Sequence, residues 1–395
     1  MQKVLAAFDK CKDSLTAGES CEIAKDIFEE VSFVVDTVPL SDGGEGFVEI
    51  LTQQASGELI FVKASDALGK VKDVSVGLCE LENLPAATKE FLNLTLTQGK
   101  IAIIEMASVV GLADLPFEER NAWKTSTLGM GEVLAHCASL ELDAILIGIG
   151  GSATNDMGLG SLVGLGLELQ RENGEIIDFP CPKEWHDLAK IKLNHLLDLP
   201  PLKIACDVRN PLLGPNGATH QYGKQKGLNQ ESRERLESKM EEMVTKLSSH
   251  FSKAEENSIL DGSGAAGGIG YGLGLAYDVS LVPGFDLIRI WFDLDNKIKD
   301  CDFVFTGEGR FDKTSLQGKG PFEVIRLANI HSKKSFLIAG SVDSQVKEDC
   351  QNQFSDLQIH SFSDPELSLE ENLKKGGELM AKKLKNVFFD NENQD

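Results

Sequence analysis

Short apolar, β-branched runs recur along the chain and alternate with longer stretches of helical period. The runs predict strands at Val4–Phe8, Phe33–Val38, Ile101–Glu105, Ala144–Gly148, Lys203–Cys206, Phe303–Thr306 and Ser335–Ala339. Helical spacing predicts helices over Ala17–Glu30, Gly131–Ser139, Asp156–Leu169, Ser232–Phe251, Ala265–Tyr277 and Glu370–Lys385. Within Ser232–Phe251, Leu236, Met240, Met243, Val244, Leu247 and Phe251 fall on one stripe with charges elsewhere, the pattern of a surface helix burying one face. Alternating strands and helices predict an α/β protein with a mainly parallel sheet. Polar stretches at Glu80–Gln98 and Arg171–Asp198 are the candidate linkers, and the tail Asp390–Asp395 is expected to fray.

Size changes the picture first. A chain of 395 residues exceeds what one core usually supports, so two or three domains are expected. At 42% hydrophobic and 26% charged, the composition is that of a globular protein. No apolar run approaches the roughly 20 residues a membrane helix needs, and MQKVLAAFDK reads as a first strand rather than a signal peptide. The eight cysteines are scattered singly without a C-x-x-C pair, which fits reduced thiols in a cytoplasmic protein. A formal charge of −23 argues against a nucleic-acid partner, whose binding depends on clustered Lys and Arg.

Candidate chemistry collects where strands end. Asp9 follows VLAAF, Asp42 lies just past FVVDTV, Glu105 ends IAII, and Gly148–Ser152 ends DAILI. Asp207 ends KIAC, Gly307–Arg310 ends FVFT, and Gly340–Ser341 ends FLIA. Ligands of open α/β sheets bind outside the carboxyl ends of the strands, so this is the distribution of an enzyme site. The run Gly148-Ile-Gly150-Gly151-Ser152-Ala153 lets backbone approach an anion, a phosphate or a metal-bound phosphate. It also fits the G-x-G-x-x-A form of a dinucleotide fingerprint, so an NAD(P)-dependent dehydrogenase of a small hydroxy acid is the alternative. Against that stands Asp156 in the first expected helical turn, where it would repel a pyrophosphate. Thr125-Ser126-Thr127 ahead of a helix reads equally as an N-cap or an anion cradle. Residues 262–270 offer a second glycine run, and 306–319 supply Glu308, Arg310 and Lys319 in one loop. No G-x-x-x-x-G-K-[ST] string occurs, so a Walker loop is absent.

Taken together, eight strings resemble the type I glycerate kinases in order. They are DKCKDSL (9–15), PLSDGGEGF (39–47), IIEMASVVGL (103–112), TSTLGMGE (125–132), IGIGGSATNDMGLG (147–160), ACDVRNPLLGPNGA (205–218), GSGAAGGIGYGL (262–273) and TGEGRFDKTSLQGK (306–319). The resemblance implies ATP, Mg²⁺ and D-glycerate as reactants. It also implies a Rossmann-like domain from both chain ends (1–60 plus 280–395), with a second α/β domain (61–279) inserted. Asp42 or Asp207 is then expected to deprotonate the glycerate hydroxyl, and Lys12 to offset charge on the transferring group. Asp9, Ser14 and Arg310 would bind substrate. Gly150, Gly151, Ser152, Asn155, Gly264, Gly267 and Gly268 would hold the nucleotide, and Asp156 and Glu308 the metal. Lys10-Cys11 departs from the Ser-Phe usual in the family, which leaves a catalytically silent nucleotide-binding protein as a further alternative. A homo-oligomer is compatible with the sequence.

Overall fold

The computed structural model describes residues 2–193 and 195–392, so the end of the expected frayed tail, 393–395, lies outside the described residues. In chain order the main strands are β1 (Lys3–Phe8), β2 (Val34–Thr37), β3 (Glu58–Ser65), β4 (Val71–Glu80), β5 (Lys100–Glu105) and β6 (Ala144–Gly148). They continue with β7 (Leu202–Ala205), β8 (Val279–Val282), β9 (Phe303–Gly307), β10 (Lys334–Ala339) and β11 (Leu357–Ser361). The chain divides into two compact units, Met1–Asp42 with Phe285–Asp395, and Gly43–Gly284.

The first unit holds a parallel sheet in the order β11-β10-β9-β1-β2. Its helix Ala17–Glu30 starts where expected because Thr16 and Glu19 close a capping box. From β1 the chain steps by that helix to β2; from β9 it steps through Gly320–Ile330 to β10, and then through Ser344–Gln353 to β11. The two series run outward in opposite directions, so strand order reverses between β1 and β9. Helices on both faces bury apolar side chains: Phe8, Phe28, Phe305 and Phe336 on one side, Phe311, Ile325 and Leu337 on the other. Phe305 and Phe336 stack at 4.5 Å between ring centroids.

The second unit is a mixed sheet, β8-β7-β6-β5-β4-β3. The pairs from β5 to β8 are parallel, whereas β3, β4 and β5 are joined antiparallel. The β3–β4 hairpin escapes the sequence pattern because Leu59 and Phe61 stay exposed at 42% and 72%, which hides the polar–apolar alternation. The helix Phe47–Gln54 packs on β3, β4 and β5, and so the first domain crossing falls after Asp42 rather than near 60. The second falls at Gly284, against an expected 280.

Three expected helices change. Asp156–Leu169 shortens to Leu159–Gly164, followed by a small strand Glu168–Arg171. Ala265–Tyr277 becomes a kinked turn and a helix Ile269–Ala276. Glu370–Lys385 breaks at Lys375 into Leu369–Lys374 and Gly376–Glu392. No described helix is long and apolar enough to cross a membrane. The cysteines are free thiols, and all but Cys206 are buried.

Because Phe305 is 1% exposed and central to the first unit, Phe305→Ala should destabilise it by about 3–5 kcal/mol. Chemical denaturation of the variant would measure this, and a loss below about 1 kcal/mol would contradict the packing described.

Candidate active site

The reversal of strand order in the first unit puts two carboxylates side by side. Phe8 pairs with Gly307 in the β1–β9 register, so the next residues, Asp9 and Glu308, leave adjacent strand ends. The Asp9 backbone N–H donates to Gly307 O at 2.9 Å. Asp9 is 7% exposed and Glu308 6%. Burial, then the charges of Asp42 and Glu308, push the Asp9 carboxyl up to about 7, against Lys10. Burial also raises Glu308, opposed mainly by the Lys319 ammonium 3.2 Å away. Its Oε1 is buried without a hydrogen-bond partner among the described residues. Lys10 Nζ lies 3.6 Å from Asp42, whose side chain is 48% exposed.

The other residues expected here are placed differently. Lys12 is exposed on the same loop. Arg310 is 75% exposed and paired with Asp312 at 3.2 Å. Ser14 turns away: its hydroxyl donates to Leu373 O at 2.7 Å, and a Cβ at Gly376 would strike it. That contact ties the loop to the C-terminal helices.

In the second unit the glycine turn after β6 is packed from beneath by another glycine pair. Gly150 N–H donates to Gly43 O at 3.0 Å, and a Cβ on Gly150 would press within 2.8 Å of Gly44. Gly151 is exposed with φ +72°, a backbone that glycine adopts without strain. Glu105, at the end of β5, accepts from Val48 N–H at 3.0 Å and so fixes the start of the helix Phe47–Gln54. Asp207 accepts from Gly284 N–H at 2.7 Å.

Asp156 is the clearest correction. It is fully buried, and its carboxylate accepts from Thr127 N–H (2.7 Å), Thr127 Oγ1 (2.9 Å), Ser126 Oγ (3.4 Å), Gly158 N–H (3.2 Å) and Gly160 N–H (3.2 Å). The hydroxyl cradle read in the sequence is real, but the anion in it is the protein's own. A carboxylate so committed has little left for a metal, although burial raises its pKa overall. The second glycine run is packed closely as well. At Gly267, with φ +79°, a Cβ would collide with Thr154 O and Asn155, and at Gly264 it would collide with Pro211 O; one at Gly268 would press on Leu212. These glycines let backbone pack on backbone. Asn155 is 1% exposed and donates to Thr219 Oγ1 at 3.0 Å.

Lys226 was missed altogether. It is 2% exposed, and its ammonium donates to Ser152 Oγ at 3.1 Å and Thr154 O at 2.5 Å. Nothing in YGKQKGL distinguishes it from a surface lysine. The dinucleotide alternative fails on topology: the segment after the glycine turn leads to Glu168–Arg171, which pairs antiparallel with Leu188–Lys192 outside the main sheet. A dinucleotide fold needs a parallel neighbour there.

Buried carboxylates offset by lysines where strand order reverses, in an α/β chain without a Walker loop, suit phosphoryl transfer. The chain belongs to the glycerate kinase family, whose sequence profile matches residues 4–390. It is 32% identical to the glycerate kinase of Halalkalibacterium halodurans, over 98% of this chain and 97% of that one. It is 33% identical to the glycerate 2-kinase of Escherichia coli K12, over 87% and 86% of the two chains. A solved crystal structure from Salmonella typhimurium LT2 superposes with a TM-score of 0.74 at 30% identity, covering 100% of this chain and 99% of that one.

Two predictions follow from these burials. Asp156→Asn should lower folding stability by about 1–3 kcal/mol, because one oxygen becomes a donor among donors; unchanged denaturation would refute the clasp. For Asp9, the folded value of about 7 lies above the ordinary 3.8. Its stabilising contribution is therefore present below the ordinary value and lost as pH rises through about 7. Asp9→Asn should gain stability over the parent at pH 8 relative to pH 5, read from denaturation midpoints at both. A gain that is larger at pH 5 would reverse the sign.

Proposed function

We propose that this chain transfers the γ-phosphoryl group of ATP to a hydroxyl of D-glycerate, giving phosphoglycerate, ADP and a proton. The family membership supports the substrate pair. The observation that carries the chemistry is the Asp9–Asp42–Lys10–Glu308–Lys319 cluster at the switch point. Phosphoryl transfer depends on positioning and charge neutralisation more than on covalent help. Asp42 is the better candidate for the proton acceptor, since it is half-exposed beside Lys10 and belongs to the charge cluster of Asp9 and Glu308. Lys10 places positive charge beside Asp42, and Lys12, exposed on the same loop, would offset charge on the transferring group. Arg310, exposed on its short strand, can meet the substrate carboxylate if it leaves Asp312. Gly150, Gly151 and Ser152 remain the phosphate-facing turn.

A magnesium ion fits the residues of the first unit. Glu308 offers a buried oxygen with no partner among the described residues, and Asp9 leaves the neighbouring strand end. No group of three or more His, Cys, Asp or Glu among the described residues could hold an ion alone. Phosphate oxygens would complete the shell, as is usual for Mg²⁺. When bound, the ion would supply neutralisation of phosphate charge.

A coupled assay with ATP and D-glycerate should show glycerate-dependent ADP release that chelator abolishes, and enzymatic analysis of the product separates 2- from 3-phosphoglycerate. ADP release indifferent to glycerate would overturn the reading. Asp42→Asn should remain folded and lose kcat by roughly 10²–10⁴-fold. Asp207→Asn keeps a carbonyl oxygen for Gly284 and should lose less; the opposite ranking would exchange their roles.

A further inference from the structure

The buried ammonium of Lys226 has no place in the proton-transfer and metal chemistry above. Its backbone is clamped on several sides. Lys226 O accepts from Ala122 N–H at 3.0 Å, and Lys226 N–H donates to Tyr222 O at 3.3 Å. At the next residue, Gly227 has φ +83°, and a Cβ there would collide with Arg120 O. The side chain is thus delivered from a fixed base to the underside of residues 152–154.

The partners it meets there are informative. Both are neutral: a hydroxyl and a carbonyl, Ser152 Oγ and Thr154 O. A lysine buried for fold stability alone would be expected on a carboxylate, because an unpaired buried charge is costly. The nearby carboxylate, Asp156, is instead filled by donors from residues 126, 127, 158 and 160. Two of the three ammonium protons are used in these bonds. Thr154 Oγ1 and Asn155 Oδ1, in the same segment, are buried without partners among the described residues. Burial holds the Lys226 ammonium down to about 7, opposed by Asp156. An anion arriving at the turn would favour its charged form.

We propose that Lys226 is a positioning residue for the glycine turn, its ammonium fixing Ser152 and Thr154 so that Gly150 and Gly151 face the phosphates of a nucleoside triphosphate. This rests on the kinase reading for the identity of the ligand. It assigns to Lys226 a role in nucleotide binding and none in glycerate binding.

The test uses the full chain with Mg²⁺ present. Lys226→Met keeps the length of the side chain and removes the charge and both hydrogen bonds. It should raise KM for ATP about tenfold or more, the scale of a lost hydrogen bond to a charged group, and leave KM for glycerate within about threefold. Calorimetric titration with MgATP should show the same loss in Kd. A packing role alone would lower Tm and leave both KM values in place, and that result overturns the proposal, as does a rise confined to glycerate. If Lys226→Met does not fold, Lys226→Gln takes its place. Its shorter, neutral amide cannot hold both Ser152 Oγ and Thr154 O and should weaken MgATP binding in the same direction; unchanged Kd overturns the proposal. Wild-type protein that binds MgATP but ignores glycerate would refute the glycerate kinase reading, while the titrations would still decide on Lys226.

Discussion

A charge buried at the end of a strand must be met by donors or by an opposite charge, and this constraint organises the loops around both sheets. Asp156 shows it most fully. Five donors from two segments converge on one carboxylate, so residues 125–127 and 156–160 cannot move apart without leaving the charge bare. The short helix Leu159–Gly164 begins where this clasp ends. Ser161 N–H in turn donates to Thr127 Oγ1, carrying the network into that helix.

In the first unit the same constraint is left less satisfied. Asp9 and Glu308 leave adjacent parallel strands, and the lysines near them, Lys10 and Lys319, offset the two carboxylates only in part. Burial raises both carboxyl values, and Glu308 Oε1 has no hydrogen-bond partner among the described residues; buried carboxylates perturbed in this way cluster at functional sites.

Glycine serves two purposes that look the same in one dimension. Gly151 is exposed, in a left-handed conformation open to a ligand. Gly264, Gly267 and Gly268 are instead where one stretch of backbone lies against another. The two runs are packed together in the fold, the second beneath the residues that follow the first. Lys226 then closes the assembly from a third direction.

The sequence by itself determined the α/β class, most of the parallel strands and the strand-end positions of Asp9, Asp42, Glu105, Asp207 and Glu308. Those features depend on local periodicity and on the geometry of a strand leaving a sheet, both written within a few residues. It could not tell that the Asp156 carboxylate is filled by the protein's own donors while Glu308 keeps an oxygen without a partner among the described residues, because those donors come from distant segments. Nor could it reveal the β3–β4 hairpin, whose apolar side chains partly face solvent, or the break at Asp42, which follows from where the helix Phe47–Gln54 packs. Nor could it place the side chains of Ser14 and Lys226. Their partners, Leu373 and Ser152, lie far away along the chain, and only the folded backbone brings such atoms to hydrogen-bond distance.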